Sequence, residues 1–149
     1  MNILMGIGNI YGLDDGVGCR LARRLSVSGW KALDCATAPE NFTGIVRQDR
    51  PELLLMVDAA DMGLPAGSLR RVSRDQIQDV GVGTHMLPLY HLIDYLRPSC
   101  GTIVFIGVQP LMRGAGEELS EPVRAAEERL LEIVERGSWE SIPMLEGAA

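Results

Sequence analysis

The chain has 149 residues, of which 46% are hydrophobic and 23% are charged. This length corresponds to one ordinary domain, and a chain of about 150 residues buries roughly two-thirds of its unfolded surface, so its core needs no disulfide or structural metal. Fourteen basic against twenty acidic side chains give a formal net charge of −6. That charge disfavours a binding surface built on neutralising phosphates, and therefore a nucleic-acid partner.

The sequence does not indicate export, membrane insertion or disulfide bonding. It begins without a basic region or a long apolar segment, and no stretch approaches the roughly 18 apolar residues that cross a bilayer. Cys19, Cys35 and Cys100 are widely separated and form no CxxC pair, so we expect small core or boundary residues. These features predict a soluble protein of the reducing cytoplasm.

Short apolar runs bounded by turn residues predict the central strands of a sheet. The runs at 3–7, 53–57 and 102–108 are typical of parallel strands that are covered on both faces. Weaker patterns predict a further strand at 30–36, a short helix at 42–48 and an edge strand at 68–72.

Amphipathic patterns predict helices between these strands. One helix follows the turn at 14–16, a second starts near Pro88 and stops before Pro98, and the last runs from a cap at Ser120 to Gly137. Alternating strands and helices predict a single three-layer αβα domain over 1–137. We expect a twisted, five-stranded, mostly parallel sheet whose edge strand can run antiparallel, and a loosely ordered tail over 138–149.

Ligands of open parallel sheets bind beyond the carboxyl ends of the strands, where neighbouring connections leave in opposite directions. The loops at 8–18, 57–63 and 81–85 reach that edge. Asp58 ends a buried apolar run, which predicts its carboxylate on the rim of a site. Its structural alternative is to accept hydrogen bonds from backbone amides of the neighbouring loop.

Two further candidate groups lie in the other loops. Asp14 and Asp15 open the first helix, where one of them is expected to cap it, and successive residues point too far apart for both to face one ligand. His85 follows a glycine-rich stretch, whereas His91 lies opposite the leucine stripe of its helix and is expected on the solvated surface. Two carboxylates and an imidazole suit Zn²⁺, Ni²⁺ or another first-row cation, and the residues alone do not select among them.

Competing motifs do not occur in the sequence. There is no HExxH, GxSxG or Walker loop, and the glycines at 6 and 8 are followed by Tyr11 where a dinucleotide fingerprint needs its third glycine. A nucleotide site is therefore the weaker alternative. A cysteine nucleophile would need a neighbouring base and an exposed thiolate, which no cysteine here is expected to have.

The loop sequences resemble the motifs of the hydrogenase maturation endopeptidases, which trim the C-terminal extension from the large-subunit precursor of nickel-iron hydrogenases. The similar segments are 6–9 (GIGN), 14–18 (DDGVG), 38–41 (APEN), 57–63 (VDAADMG), 84–89 (THMLPL) and 106–110 (IGVQP). The resemblance extends to about Arg136. It is greatest to the branch that processes hydrogenase 3 of formate hydrogenlyase complexes.

The resemblance implies that Asp15, Asp58 and His85 are the catalytic, metal-binding residues and that the nickel is supplied by the substrate. Zinc or cadmium could occupy the site in the isolated protein. Many relatives carry a glutamate at the position of Asp15, which changes the reach of this ligand but not its charge. The implied chemistry is a metal that polarises the scissile carbonyl or orients a water, with one carboxylate as base.

The implied partner is the nickel-loaded hydrogenase large-subunit precursor. We expect no nucleic-acid or membrane partner and favour a monomer. The alternative to an enzyme is a non-catalytic α/β binding module, either a chaperone for the hydrogenase precursor or a nucleotide-binding domain.

Overall fold

The computed structural model describes residues 1–82 and 88–147. Within these ranges the strands are β1 (Asn2–Gly6), β2 (Trp30–Asp34), β3 (Leu53–Asp61), β4 (Leu69–Val72), β5 (Gly81–Val82) and β6 (Thr102–Val108). The α-helices are α1 (Val17–Arg24), α2 (Thr43–Asp49), α3 (Leu89–Leu96) and α4 (Glu121–Arg136). Short 3-10 turns lie at Asp14–Gly16, Pro39–Phe42, Arg74–Asp79, Arg97–Ser99 and Trp139–Ser141.

The described strands form one mixed sheet in the order β2-β1-β3-β6-β4, and β5 pairs with the end of β3. The pairings among β2, β1, β3 and β6 are parallel, whereas β4 runs antiparallel to β6. The predicted mostly parallel sheet with an antiparallel edge strand is therefore confirmed. The two-residue β5, antiparallel to β3, is an addition to it.

Both faces of the sheet are covered, which explains the uninterrupted apolar runs of its strands. Leu55 and Val57 of β3 belong to a core shared with α1 and α4. Their neighbours Leu54 and Met56 belong to a second core, shared with α2 and α3. Side chains alternate between faces along a strand, so β3 supplies both cores and forms the centre of a three-layer domain.

The first two connections between strands lie on opposite faces of the sheet. The connection from β1 to β2 passes through α1 on one face, and the connection from β2 to β3 passes through α2 on the other. β1 and β3 are neighbours in the sheet, and the connections that follow β1 and precede β3 lie on opposite faces. The carboxyl ends of these two strands therefore flank the topological switch point of the sheet. Ligand crevices of open α/β sheets form at such a point.

Helix α4 agrees with its predicted limits. Pro122 lies in its first turn, and it ends at Gly137, whose φ of 71° is readily adopted by glycine. Its buried apolar residues include Val123 and Leu130, which pack in the core shared with α1. Across the described part of the chain, no helix has both the length and the apolarity required to cross a bilayer.

The segment after α4 differs from the loose tail that the sequence predicted. Over 138–147, the part that is described, the chain follows the open edge of β4. The Arg71 N–H donates to Pro143 O at 2.9 Å, and the Leu145 N–H donates to Arg71 O at 2.8 Å. Ile142 is only 2% exposed, so burial of its side chain and the shared backbone hydrogen bonds attach this segment to the sheet.

Candidate active site

The loop between β1 and α1 makes a close backbone approach at Gly8. Gly8 has a φ of 142°, and a Cβ there would overlap the carbonyl oxygen of Asp15 and lie 3.4 Å from Oδ1 of Asp58. The Asn9 N–H donates to the same Asp15 carbonyl at 3.1 Å. Gly8 therefore lies between the turn that carries Asp15 and the carboxylate of Asp58.

Asp58 lies within β3 and not after it, which corrects the predicted position of this carboxylate at the end of the strand. The strand continues to Asp61 because β6 and β5 pair with its last residues. The ladder with β1, by contrast, stops at the pair of Gly6 and Val57. Asp58 is thus the first residue of β3 beyond β1, beside the loop at Gly8, and it is only 2% exposed.

Asp14 is fully buried and joins two loops. Its carboxylate accepts hydrogen bonds from the N–H groups of Leu111, Met112 and Ser120 and from the hydroxyl of Ser120, at 2.7–2.8 Å. Burial alone would raise the pKa of Asp14, but these hydrogen bonds outweigh it and hold the pKa below its usual value. Asp14 therefore anchors the connection between β6 and α4.

Asp15 points away from Asp14 and interacts with Arg113. Its Oδ1 lies 2.8 Å from Arg113 Nε, and 30% of the Asp15 side chain is exposed. The two neighbouring aspartates therefore have different partners, as expected for successive residues at the start of a helix. The expected cap is wrong, because the residue before α1 is Gly16 and no side chain caps that helix. Asp14 is instead oriented by the amides of the β6–α4 connection.

The backbone immediately before Asp14 is strained. Leu13 has φ 56° and ψ −121°, a conformation that costs a residue other than glycine of order 1–3 kcal/mol. The Leu13 N–H donates to Gly116 O at 2.9 Å, and Leu13 pairs with Arg113 as an isolated bridge. These contacts fix the turn in which the two aspartates diverge.

Gln109 holds the loop next to the candidate site, a role that the sequence did not predict. Its Oε1 accepts a hydrogen bond from the Met62 N–H at 2.6 Å, and its Nε2 donates to Asp61 Oδ1 at 3.1 Å. These bonds shape the loop that leaves β3. The available signal was a polar side chain at the end of an apolar strand, directly before Pro110.

His85, the third predicted ligand, lies outside the described residues. Its flanks are described: Val82 ends β5, and Pro88 directly precedes α3. Over the described ranges there is no group of three or more histidine, cysteine or acidic side chains arranged to hold a metal ion. His91 is exposed, as predicted.

The cysteines have the environments that the sequence predicted. Cys19 and Cys35 are buried, and Cys100 is partly buried. Burial raises the pKa of all three thiols, that of Cys35 to about 12, and the carboxylates of Asp34 and Asp58 further raise the pKa of Cys19. A thiol with so high a pKa is protonated near neutral pH, so Cys19 and Cys35 are poor nucleophiles.

A pocket of about 370 Å³ opens beside the Gly8 loop, on the side of β2. Gly8 and Tyr11 contribute to its lining, together with the ion pair of Arg23 and Asp34, whose atoms are 2.7 Å apart. Tyr11 is 62% exposed. The pocket offers both apolar and charged contacts next to the switch point of the sheet.

Comparison with known proteins identifies the family. The family model for hydrogenase maturation proteases of the HycI type matches residues 17–137. The Hydrogenase 3 maturation protease of Escherichia coli K12 is 36% identical to this chain over 143 residues, which cover 93% of this chain and 90% of the relative.

Solved structures agree with this match. A crystal structure of the Hydrogenase 3 maturation protease superposes with a TM-score of 0.90 at 33% identity, covering 99% of this chain and 97% of that one. The NiFe hydrogenase maturation protease HycI from Thermococcus kodakarensis KOD1 superposes with a TM-score of 0.79, also at 33% identity, covering 92% and 91% of the two chains. The chain is a peptidase and belongs to the hydrogenase maturation protease family.

Proposed function

We propose that this peptidase removes the C-terminal extension of a nickel-iron hydrogenase large-subunit precursor after nickel has been inserted. The names of the Escherichia coli and Thermococcus relatives support a hydrogenase precursor as the substrate. The acidic chain, with a formal net charge of −6, carries no feature that favours a nucleic-acid substrate instead.

In this proposal Asp15, Asp58 and His85 recognise the nickel that the precursor carries. The observation that carries it is the meeting of two chain segments at Gly8, where the turn of Asp15 and the carboxylate of Asp58 adjoin the same glycine. Both segments lie at the switch point between β1 and β3, where this class of sheet forms its ligand crevice. Carboxylate oxygens and an imidazole nitrogen are suitable donors for Ni²⁺.

The position of β5 supports His85 as the third ligand. Val82 pairs with Ala60, which lies two residues beyond Asp58 on β3. His85 is three positions after Val82, and three residues of chain span at most about 11 Å. That reach is compatible with an imidazole that joins Asp58 at the same edge of the sheet.

The free protein is expected to hold nickel weakly. Asp58 is 2% exposed and Asp15 is paired with Arg113, so neither carboxylate is freely offered to a dissolved ion. A precursor that already holds nickel would bring the metal together with its own docking contacts. Nickel loading of the substrate would then act as the checkpoint for cleavage.

The direct test is to incubate the protein with nickel-loaded and nickel-free precursor and to follow the size of the precursor on a gel. We expect a size decrease only with the nickel-loaded form, and none with an Asp58→Asn variant that still binds the precursor. Equal cleavage of both forms would contradict nickel recognition. Binding without any cleavage, under conditions where a related protease is active, would support a chaperone instead.

A further inference from the structure

Arg113 connects three parts of the chain around the candidate site. Its Nε contacts Oδ1 of Asp15 at 2.8 Å, and its terminal Nη2 donates to the carbonyl oxygen of Gly81 at 3.0 Å. Asp15 belongs to the turn before α1, Arg113 to the connection after β6, and Gly81 to β5. One guanidinium thus joins a predicted nickel ligand to the strand that precedes the segment containing His85.

The buried carboxylate of Asp14 helps to fix the position of Arg113. Asp14 holds the N–H groups of Leu111 and Met112, the two residues before Arg113. The bridge between Leu13 and Arg113 fixes the backbone on the other side. These contacts hold the backbone on both sides of the ion pair. The fold therefore places Arg113 next to Asp15.

We infer that Arg113 is a positioning residue that neutralises Asp15 in the free protein and withdraws when the substrate's metal arrives. This inference rests on the proposed function, since it assumes that Asp15 is a ligand for the substrate's nickel. A guanidinium and a divalent cation repel each other at contact distance, so the two compete for the same carboxylate. Arg113 therefore acts against free cations and favours a metal that is delivered with docking contacts.

The exposure of the ion pair makes this exchange feasible. The side chains of Arg113 and Asp15 are 37% and 30% exposed, and ion pairs with this much solvent access are weak. A precursor that binds through its own surface can therefore displace Arg113. Withdrawal of Arg113 also breaks its hydrogen bond to the carbonyl oxygen of Gly81. Release of Asp15 is therefore coupled to the loss of a contact at β5.

The experiment measures Zn²⁺ binding to the free protein by calorimetry, because zinc accepts carboxylate and imidazole ligands. We expect Arg113→Gln to bind Zn²⁺ up to about fivefold more tightly than the unmodified chain, because the metal no longer has to displace the weak Arg113–Asp15 ion pair. Arg74→Gln is the matched control, since Arg74 is also a half-exposed arginine in ion pairs, with Asp75 and Asp94. It should leave Zn²⁺ affinity unchanged.

Two more variants separate competition at Asp15 from a general loosening of the loop. Adding Asp15→Asn to Arg113→Gln should abolish the gain in Zn²⁺ affinity. Arg113→Lys keeps the charge but lacks the planar fork that reaches both Asp15 and Gly81, so its affinity should lie between those of the arginine and glutamine forms. Circular dichroism should give the same spectrum for all of them.

Unchanged Zn²⁺ affinity in Arg113→Gln, or an equal gain in Arg74→Gln, would overturn the inference. A gain that survives Asp15→Asn would overturn it as well. These results concern metal binding by the free protein and are independent of cleavage. The proposed function fails separately, if nickel-free and nickel-loaded precursors are cleaved alike.

Discussion

The carboxylate of Asp14 accepts two hydrogen bonds from Ser120, one at each oxygen. The Ser120 N–H donates to Asp14 Oδ1 at 2.7 Å, and the Ser120 hydroxyl donates to Asp14 Oδ2 at 2.8 Å. The pair joins the turn before α1 to the start of α4, whose first residue follows Ser120. This buried pair orients the neighbouring Asp15 toward the surface, where it contacts Arg113.

Asp14→Ala should therefore destabilise the fold, whereas Asp15→Ala should not. Removal of the Asp14 carboxylate leaves the buried N–H of Ser120 and the partly buried N–H groups of Leu111 and Met112 without their acceptor, which is expected to cost about 3 kcal/mol of unfolding free energy. Asp15 is partly exposed, so its ion pair is worth at most about 1 kcal/mol. Urea unfolding measures both values, with Asp75→Ala as a control for an exposed aspartate. Equal losses in the Asp14 and Asp15 variants would contradict the assigned roles.

The Asp14 variant should also reveal a pH dependence. The pKa of Asp14 is held below its usual value, by hydrogen bonds that outweigh the effect of burial. The unfolded chain therefore binds the proton more readily, and the stability from Asp14 is present above about pH 4 and lost as the pH falls through the folded-state pKa. Asp14→Asn lacks this contribution, so the stability gap between it and the native chain should narrow on acidification. A gap that stays constant down to about pH 2 in urea unfolding would show that folding does not lower the pKa of Asp14.

Asp58→Asn and His85→Ala should each abolish processing of nickel-loaded precursor and preserve the fold. Asparagine keeps the size of the buried Asp58 side chain but removes the charge that would bind a cation. His91→Ala is the matched control for histidine removal, since His91 is exposed on α3. The gel assay gives the activity, and circular dichroism gives the fold. Normal cleavage by either site variant would show that the ligand assignment is wrong.

The cysteines should be dispensable for cleavage. Burial raises the pKa values of Cys19 and Cys35, so neither supplies a thiolate near neutral pH. We expect iodoacetamide to modify the partly buried Cys100 first and to leave processing intact, as measured by mass spectrometry and the gel assay. Loss of activity that tracks modification of Cys35 would instead indicate a cysteine nucleophile.

The purified protein should contain less than one equivalent of nickel. Asp15 is engaged by Arg113 and Asp58 is buried, so tight retention requires contacts from the precursor. Elemental analysis before and after treatment with a chelator measures the nickel content. A full complement of nickel that resists the chelator would contradict the view that the substrate supplies the metal.

The sequence predicted the sheet well because its strands are buried on both faces and its helices on one. The apolar runs of β1 and β6 and the amphipathic pattern of α4 are local signals of that burial. The end of β3 was missed because two alanines and Asp61 carry little strand signal of their own. Their pairing with β5 and β6 is a long-range contact that the local pattern does not contain.

Asp58 and the pair of Asp14 and Asp15 were likewise recognisable as candidate site residues from the loops in which they lie. What the chain sequence by itself determined is the layer architecture, the family motifs and the loops at the switch point, since these follow from periodicity and local residue types. Only the tertiary structure decided that Asp14 is a buried anchor, that Arg113 neutralises Asp15 and that Gln109 shapes the neighbouring loop. Each of these roles depends on partners about 50 to 100 positions away in the sequence, and the distance between such groups is set by the packed sheet and not by the local chain.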